Sequence, residues 1–212
     1  MEFFFLQDTC ALAVHIACHE AGLHVQLRQL ERSPTGLQVK SDNVNPRNYN
    51  SLNPKGKVPA IKFGAGGILT ENQAILQYIA WELAPKDKAL IPQNGPARWR
   101  AVELLNFITT ELHKGFSPLF NSNISARHRQ EVIQDLGKGF TVLQDILGDK
   151  PFILGEEFTV ADCYTWTVLT WTRFFDDVDL TKWPRLVEYR RKILQRPSVQ
   201  KALEEEGLKL VF

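Results

Sequence analysis

The chain has 212 residues, 44% of them hydrophobic, and 25 Lys and Arg against 24 Asp and Glu give a formal net charge of +1. That length allows one large or two modest domains, and balanced charge without a basic block gives no electrostatic case for nucleic acid or an anionic membrane surface. Three cysteines, an odd number, argue against a disulfide framework and fit a reducing compartment, so a cytoplasmic, soluble protein is expected.

The opening run Phe3-Phe4-Phe5-Leu6 turns polar at Gln7-Asp8. It is too short for a signal peptide or a membrane span and reads as a buried strand over 2–6. Residues 11–21 favour helix, with Gly22 as the stop. Val25-Gln26-Leu27-Arg28 alternates as a strand does. Residues 31–52 are rich in Asn, Pro and Ser and read as a long loop with at most one helical turn. Val58–Phe63 and Ile68-Leu69 read as a hairpin across Gly64-Ala65-Gly66-Gly67. Ile75, Leu76, Ile79 and Leu83 have the spacing of a helix over 72–83. The order β-α-β-loop-β-β-α is an α/β layer. From Ala84 to Pro96, Pro, Lys, Asp and Gly accumulate as in a linker. Beyond it, helical periodicity covers 97–120, 126–147, 160–175, 184–195 and 197–206. The expected organisation is an α/β domain over 1–83, a linker over 84–96 and an all-α domain over 97–212.

The stretch Asn53-Pro54-Lys55-Gly56-Lys57-Val58-Pro59-Ala60-Ile61, followed by Leu69-Thr70-Glu71-Asn72, carries the sharpest functional signal. A strand entered through Val-Pro lacks one backbone donor. With a cis bond, the Val58 N–H and C=O can turn away from the sheet and pair with an extended peptide. The helix start at Asn72 offers N–H groups to a carboxylate, and Glu71 offers a negative charge to an ammonium. An α-amino acid head on an extended thiol peptide suits this order. Cys10 sits between the first strand and the first helix, where the helix dipole is expected to favour its thiolate. With Ala13 three positions on, there is no C-x-x-C pair, so a dithiol mechanism is disfavoured. Cys18 and Cys163 fall among apolar neighbours and read as core. His15 and His19 stand four apart but lack the acid of a His-Glu-x-x-His motif, so a capped or solvated pair, with no metal, is expected. In the helix at 97–120, Glu103, Asn106, Thr110 and His113 form a polar stripe, while Leu105, Ile108, Leu112 and Phe116 should bury. The stripe is either a wet face or the wall of a cleft between the domains, with His113 near the reacting thiol. Phe158-Thr159-Val160-Ala161-Asp162-Cys163 reads as a capping box at a helix start, structural rather than chemical.

Taken together, these residues resemble the glutathione transferases, and most closely the bacterial beta class. The likeness spans nearly the whole chain. It rests on Cys10, on residues 53–60 and 69–75, on Asn106 through Phe116, and on Phe158 through Asp162. The resemblance implies a thioredoxin-like first domain, an all-helical second domain and a homodimer. It implies that Val58, beside cis Pro59, pairs with the cysteinyl backbone of glutathione, and that Glu71 and Asn72 hold its γ-glutamyl group. Asn106 and His113 would lie near the thiol, Glu111 would reach glutathione bound in the partner subunit, and Phe116 and Trp171 would line the pocket for a small hydrophobic electrophile. The sequence departs from the family at Ala11, where relatives carry Ser, and at Asp8 and Thr9. No basic residue for the glycine carboxylate is evident after the second strand; Lys40 is the substitute. The implied activity is a detoxifying glutathione S-transferase that activates the glutathione thiolate, with thiol-disulfide or peroxide chemistry through Cys10 beside it. A non-catalytic glutathione-binding or protein-interaction member of the fold is the alternative.

Overall fold

In the computed structural model, residues 1–34, 36–40, 49–64, 67–88 and 90–210 are described. Strand β1 (Glu2–Phe5) carries three consecutive phenylalanines, all buried. A strand without polar alternation needs cover on both faces. Phe3 and Phe5 stack on each other and lie against His15 of helix α1 (Ala11–Glu20). Phe4 joins a separate cluster with Leu30, Val39, Tyr49 and Ala60. Helix α1 ends as Gly22 predicted. Gly22 has φ 68°, its N–H bonds the His19 carbonyl, and the Leu23 N–H bonds the Cys18 carbonyl. That pair of bonds closes the helix in a Schellman motif.

With β2 (Gln26–Ser33), β3 (Gly36–Val39), β4 (Ala60–Phe63) and β5 (Gly67–Thr70), the sheet order is β3-β2-β1-β4-β5. β1 and β2 are parallel; the other pairs are antiparallel. Strand β3 corrects the loop expected over 31–52. Leu30 pairs with Val39 and Arg32 with Leu37, and Val39 is buried while Leu37 packs on the same cluster. Two apolar residues in alternation decide this short strand against the polar composition around it. Residues 41–48 of that expected loop lie outside the described residues. The one helical turn falls at Tyr49–Ser51. Helix α2 (Asn72–Tyr78) follows β5 and continues in a wider π turn, Ile79–Leu83.

The remaining helices match the expected periodicity. Helix α3 (Gly95–Phe107) runs through a π segment, Ile108–His113, into α4 (Lys114–Phe116) and a 3₁₀ turn, Ser117–Phe120. Then come α5 (Ala126–Leu147), α6 (Val160–Thr170), α7 (Pro184–Leu194) and α8 (Pro197–Glu205). Every residue of α6 is buried, as a central helix apolar on all sides requires. At its start the Asp162 carboxylate accepts hydrogen bonds from the Thr159 N–H and hydroxyl, the Ile153 N–H and the Tyr189 hydroxyl, all within 2.9 Å. The expected box is therefore a larger, buried junction. Among the described residues, no helix is long and apolar enough to cross a membrane.

By contacts the chain forms two units, Met1–Lys88 with Pro197–Val211, and Ala89–Arg196. The last helix, expected with the all-α domain, belongs to the first unit.

Candidate functional site

In the first unit, the loop before β4 is held by side chains that the sequence reading did not single out. Asn53 is buried; its Nδ2 donates to the Lys57 carbonyl at 2.7 Å, and its Oδ1 accepts from the Lys55 N–H at 3.2 Å. The Tyr49 hydroxyl donates to the same Lys57 carbonyl at 2.8 Å, and burial pushes its pKa up. These bonds fix the backbone just ahead of Val58. The Val58–Pro59 bond is cis, and Pro59 is buried. Cys10, the N-cap residue of α1 and 7% exposed, donates from Sγ to the Val58 carbonyl at 3.5 Å. Cys10, Val58 and Pro59 are thus brought together. In the turn ahead of α1, the Thr9 hydroxyl accepts from the Ala11 N–H at 3.3 Å and donates to the Leu6 carbonyl at 2.7 Å.

At the start of α2, Glu71 has φ 75°, a left-handed conformation uncommon outside glycine. Its carboxylate pairs with Lys55 Nζ, which also donates to the Thr70 hydroxyl at 2.8 Å. Glu71 is therefore an exposed charge already paired with an ammonium, that of Lys55. Asn72 is 7% exposed, and neither Nδ2 nor Oδ1 has a hydrogen-bond partner. Leaving a buried amide unsatisfied costs about 1–3 kcal/mol. Lys40 follows β3 and is exposed, with its backbone N–H on the Gln29 carbonyl.

In the second unit, Asn106, Thr110 and Glu111 are exposed and His113 is half-buried. The π segment interrupts the 3.6-residue period, so the expected stripe does not continue unchanged to His113. The Thr109 and Thr110 hydroxyls bond the carbonyls of Leu105 and Asn106, and Asn106 Nδ2 bonds the Val102 carbonyl. His113 Nδ1 lies 2.6 Å from the Tyr164 hydroxyl, and its ring meets Trp171 edge-on at 4.9 Å. Leu105, Ile108, Leu112 and Phe116 are fully buried, as expected. Phe116 is covered by Trp171, Phe140 and Phe175 and supports the aromatic cluster from inside. The accessible rings of that cluster are Phe120 and Phe174, 58% and 42% exposed, which the sequence reading missed. Their only sequence signal is the recurrence of aromatics at 116, 120, 171, 174 and 175.

A mixed sheet with cis Val58–Pro59, a cysteine at the first helix start and a separate helical unit define a thioredoxin-like domain joined to an all-α domain. The comparisons agree. The model for the glutathione S-transferase N-terminal domain matches residues 9–81, and that for the C-terminal domain matches residues 126–192. Glutathione S-transferase GstA of Escherichia coli O157:H7 is 36% identical over 209 residues, covering 99% of this chain and 100% of that protein. A sphingomonad glutathione S-transferase solved in complex with glutathione has a TM-score of 0.87 at 32% identity, covering 99% and 100% of the two chains. A beta class enzyme from Sphingomonas chungbukensis has a TM-score of 0.87 at 35% identity, with the same coverage. The chain belongs to the glutathione S-transferase family and is an enzyme of that family, a transferase.

Proposed function

We propose that this chain binds glutathione on its first unit and joins it through its sulfur to small hydrophobic electrophiles, as a member of the beta class. The observation that carries this reading is the junction of Cys10 Sγ with the Val58 carbonyl beside cis Pro59. An extended tripeptide pairs there with the Val58 main chain, its sulfur beside Cys10 and the α1 N-terminus. Its γ-glutamyl head takes the orphaned Asn72 amide and the Glu71 carboxylate, displacing or sharing Lys55. Lys40 is the candidate cation for the glycine carboxylate. Hydrogen bonding and the helix end favour thiolate over thiol. The thiolate attacks the electrophilic carbon, a sulfur–carbon bond forms, and the leaving group departs with its electron pair. In the second unit, Trp171, backed by Phe116, shapes the apolar pocket, Asn106, Glu111 and His113 are the polar positions that match the family, and the protein acts as a homodimer.

Calorimetry and turnover of a chloronitrobenzene test this. Glutathione is expected to bind, and Asn72→Ala and Glu71→Gln are expected to raise KM for glutathione with the fold intact. No heat at millimolar glutathione on folded protein would overturn the reading; binding without turnover would return the non-catalytic alternative. Light scattering in solution tests the homodimer, which a monomeric mass would exclude.

A further inference from the structure

Helix α8 meets α1 through two consecutive acids. His15 and His19, one helical turn apart on α1, both reach the same oxygen of Glu205: His15 Nε2 is 2.8 Å and His19 Nε2 is 3.0 Å from Oε2. The two rings stack with centroids 5.1 Å apart and planes 25° apart. The three ligand atoms offered by His15, His19 and Glu205 lie within 4.8 Å of one another. On its other nitrogen, His15 Nδ1 is 3.0 Å from Glu206 Oε1, and that carboxylate is fully buried and accepts the Asp8 N–H at 3.3 Å. Lys201 approaches the other Glu205 oxygen, Oε1, at 3.5 Å.

We propose that His15, His19 and Glu205 form a binding site for a divalent transition-metal ion, with zinc the best match. Two imidazoles and a carboxylate are a donor set for zinc, whereas calcium and magnesium take mainly oxygen ligands. Tetrahedral zinc with bonds of about 2.0–2.2 Å separates neighbouring ligand atoms by roughly 3.3 Å. The two His–Glu205 contacts need to open by only a few tenths of an ångström to admit the ion, and the third edge, between the imidazole nitrogens, is no longer than 4.8 Å. Glu206 completes the arrangement. By accepting the His15 Nδ1–H it fixes the tautomer whose Nε2 lone pair faces the ion, the usual outer partner of a metal-bound histidine. The His19 and Glu205 side chains are 25% and 28% exposed, so the ion has an entry path and solvent can fill the fourth position. The sequence shows only the two histidines; the carboxylate comes from about 190 positions away and becomes a ligand only when α8 docks on α1. Because the site exists only in the folded first unit, zinc stabilises that unit.

The test is a zinc titration by calorimetry on reduced, chelator-treated full-length protein, with thermal melts and cobalt(II) visible absorption alongside. One zinc per chain, a rise in Tm and the visible bands of four-coordinate cobalt are expected. His19→Gln and Glu205→Gln should each weaken binding about tenfold or more, and Glu206→Gln by about 10–100-fold through the outer partner. Glu204→Gln should behave as wild type. All three cysteines remain in every variant, so ion bound by thiols would persist in them. No uptake at micromolar zinc, or uptake unchanged in both His19→Gln and Glu205→Gln, would overturn the site.

Discussion

The three cysteines show how place decides chemistry for one residue type. Cys18 is buried inside α1, and burial pushes its thiol up to about 12. Cys163 is equally enclosed in α6. Cys10 stands at a helix start, where the dipole favours the thiolate. Oxidised glutathione should therefore form a mixed disulfide at Cys10 alone, the Cys10 thiolate attacking one sulfur and one reduced glutathione leaving. Peptide mapping by mass spectrometry checks this; an adduct on Cys18 or Cys163 in folded protein would contradict it, and Cys10→Ala should take up none. Cys10, Val58 and Pro59 were legible in the sequence because their signals are local: a strand end, a helix start, an X-Pro bond. The Tyr164 partner of His113 was not, since nothing local to a pair 51 positions apart indicates which hydroxyl the ring will meet. Tyr164→Phe removes that bond and should cost about 1 kcal/mol, read as a shift in urea midpoint.

Elements were read well where periodicity ran long. Helices α5 and α7 lie where the pattern put them, because an apolar stripe repeated over three turns or more outweighs individual residues, and α6 does so through its capped start and enclosed length. The failures are short. Strand β3 has four residues and hides in a polar stretch, and the π segment leaves no periodic trace. The start of α6 was recognised as a cap but underestimated, because Tyr189 and the Ile153 N–H arrive from elsewhere. Asp162→Ala strands four buried donors, so the loss should be about 3 kcal/mol or more rather than the roughly 1 kcal/mol of an ordinary cap. Chemical denaturation measures it. In the same unit, Asp177 receives both Arg129 Nε and a second guanidinium nitrogen at 2.7 Å, and this pair holds the Asp177 carboxyl below its usual range. With the folded value depressed, the contribution is present above the ordinary carboxylate pKa and is lost as pH falls through the depressed one. Both groups are substantially exposed, so Asp177→Asn should cost less than about 1 kcal/mol at neutral pH. In urea melts the difference should vanish at acid pH and shrink in high salt.

For the whole molecule, the family and its two-part organisation were visible in motifs spread along the chain, but the true membership of the first unit was not. Helix α8 has an ordinary amphipathic sequence, and the placement of Glu205 and Glu206 against His15 shows where it docks. Ser198 bonds Glu20 at the other end of the same pairing. A chain ending at Arg196 should uncover α1 and lose the first unit's cooperative melt, while α3 to α7 keep their helical circular dichroism. An unchanged melting profile would contradict that dependence.

The return of α8 also sets an order on biosynthesis. The nascent thioredoxin-like half emerges from the ribosome before the second unit, yet the residues of one wall of it follow that unit. Until these are translated, apolar α1 waits partly uncovered, and exposed surface of this kind is what chaperones bind and aggregates recruit. Completion of the first unit therefore waits until α8 has been made, after the whole of the second unit.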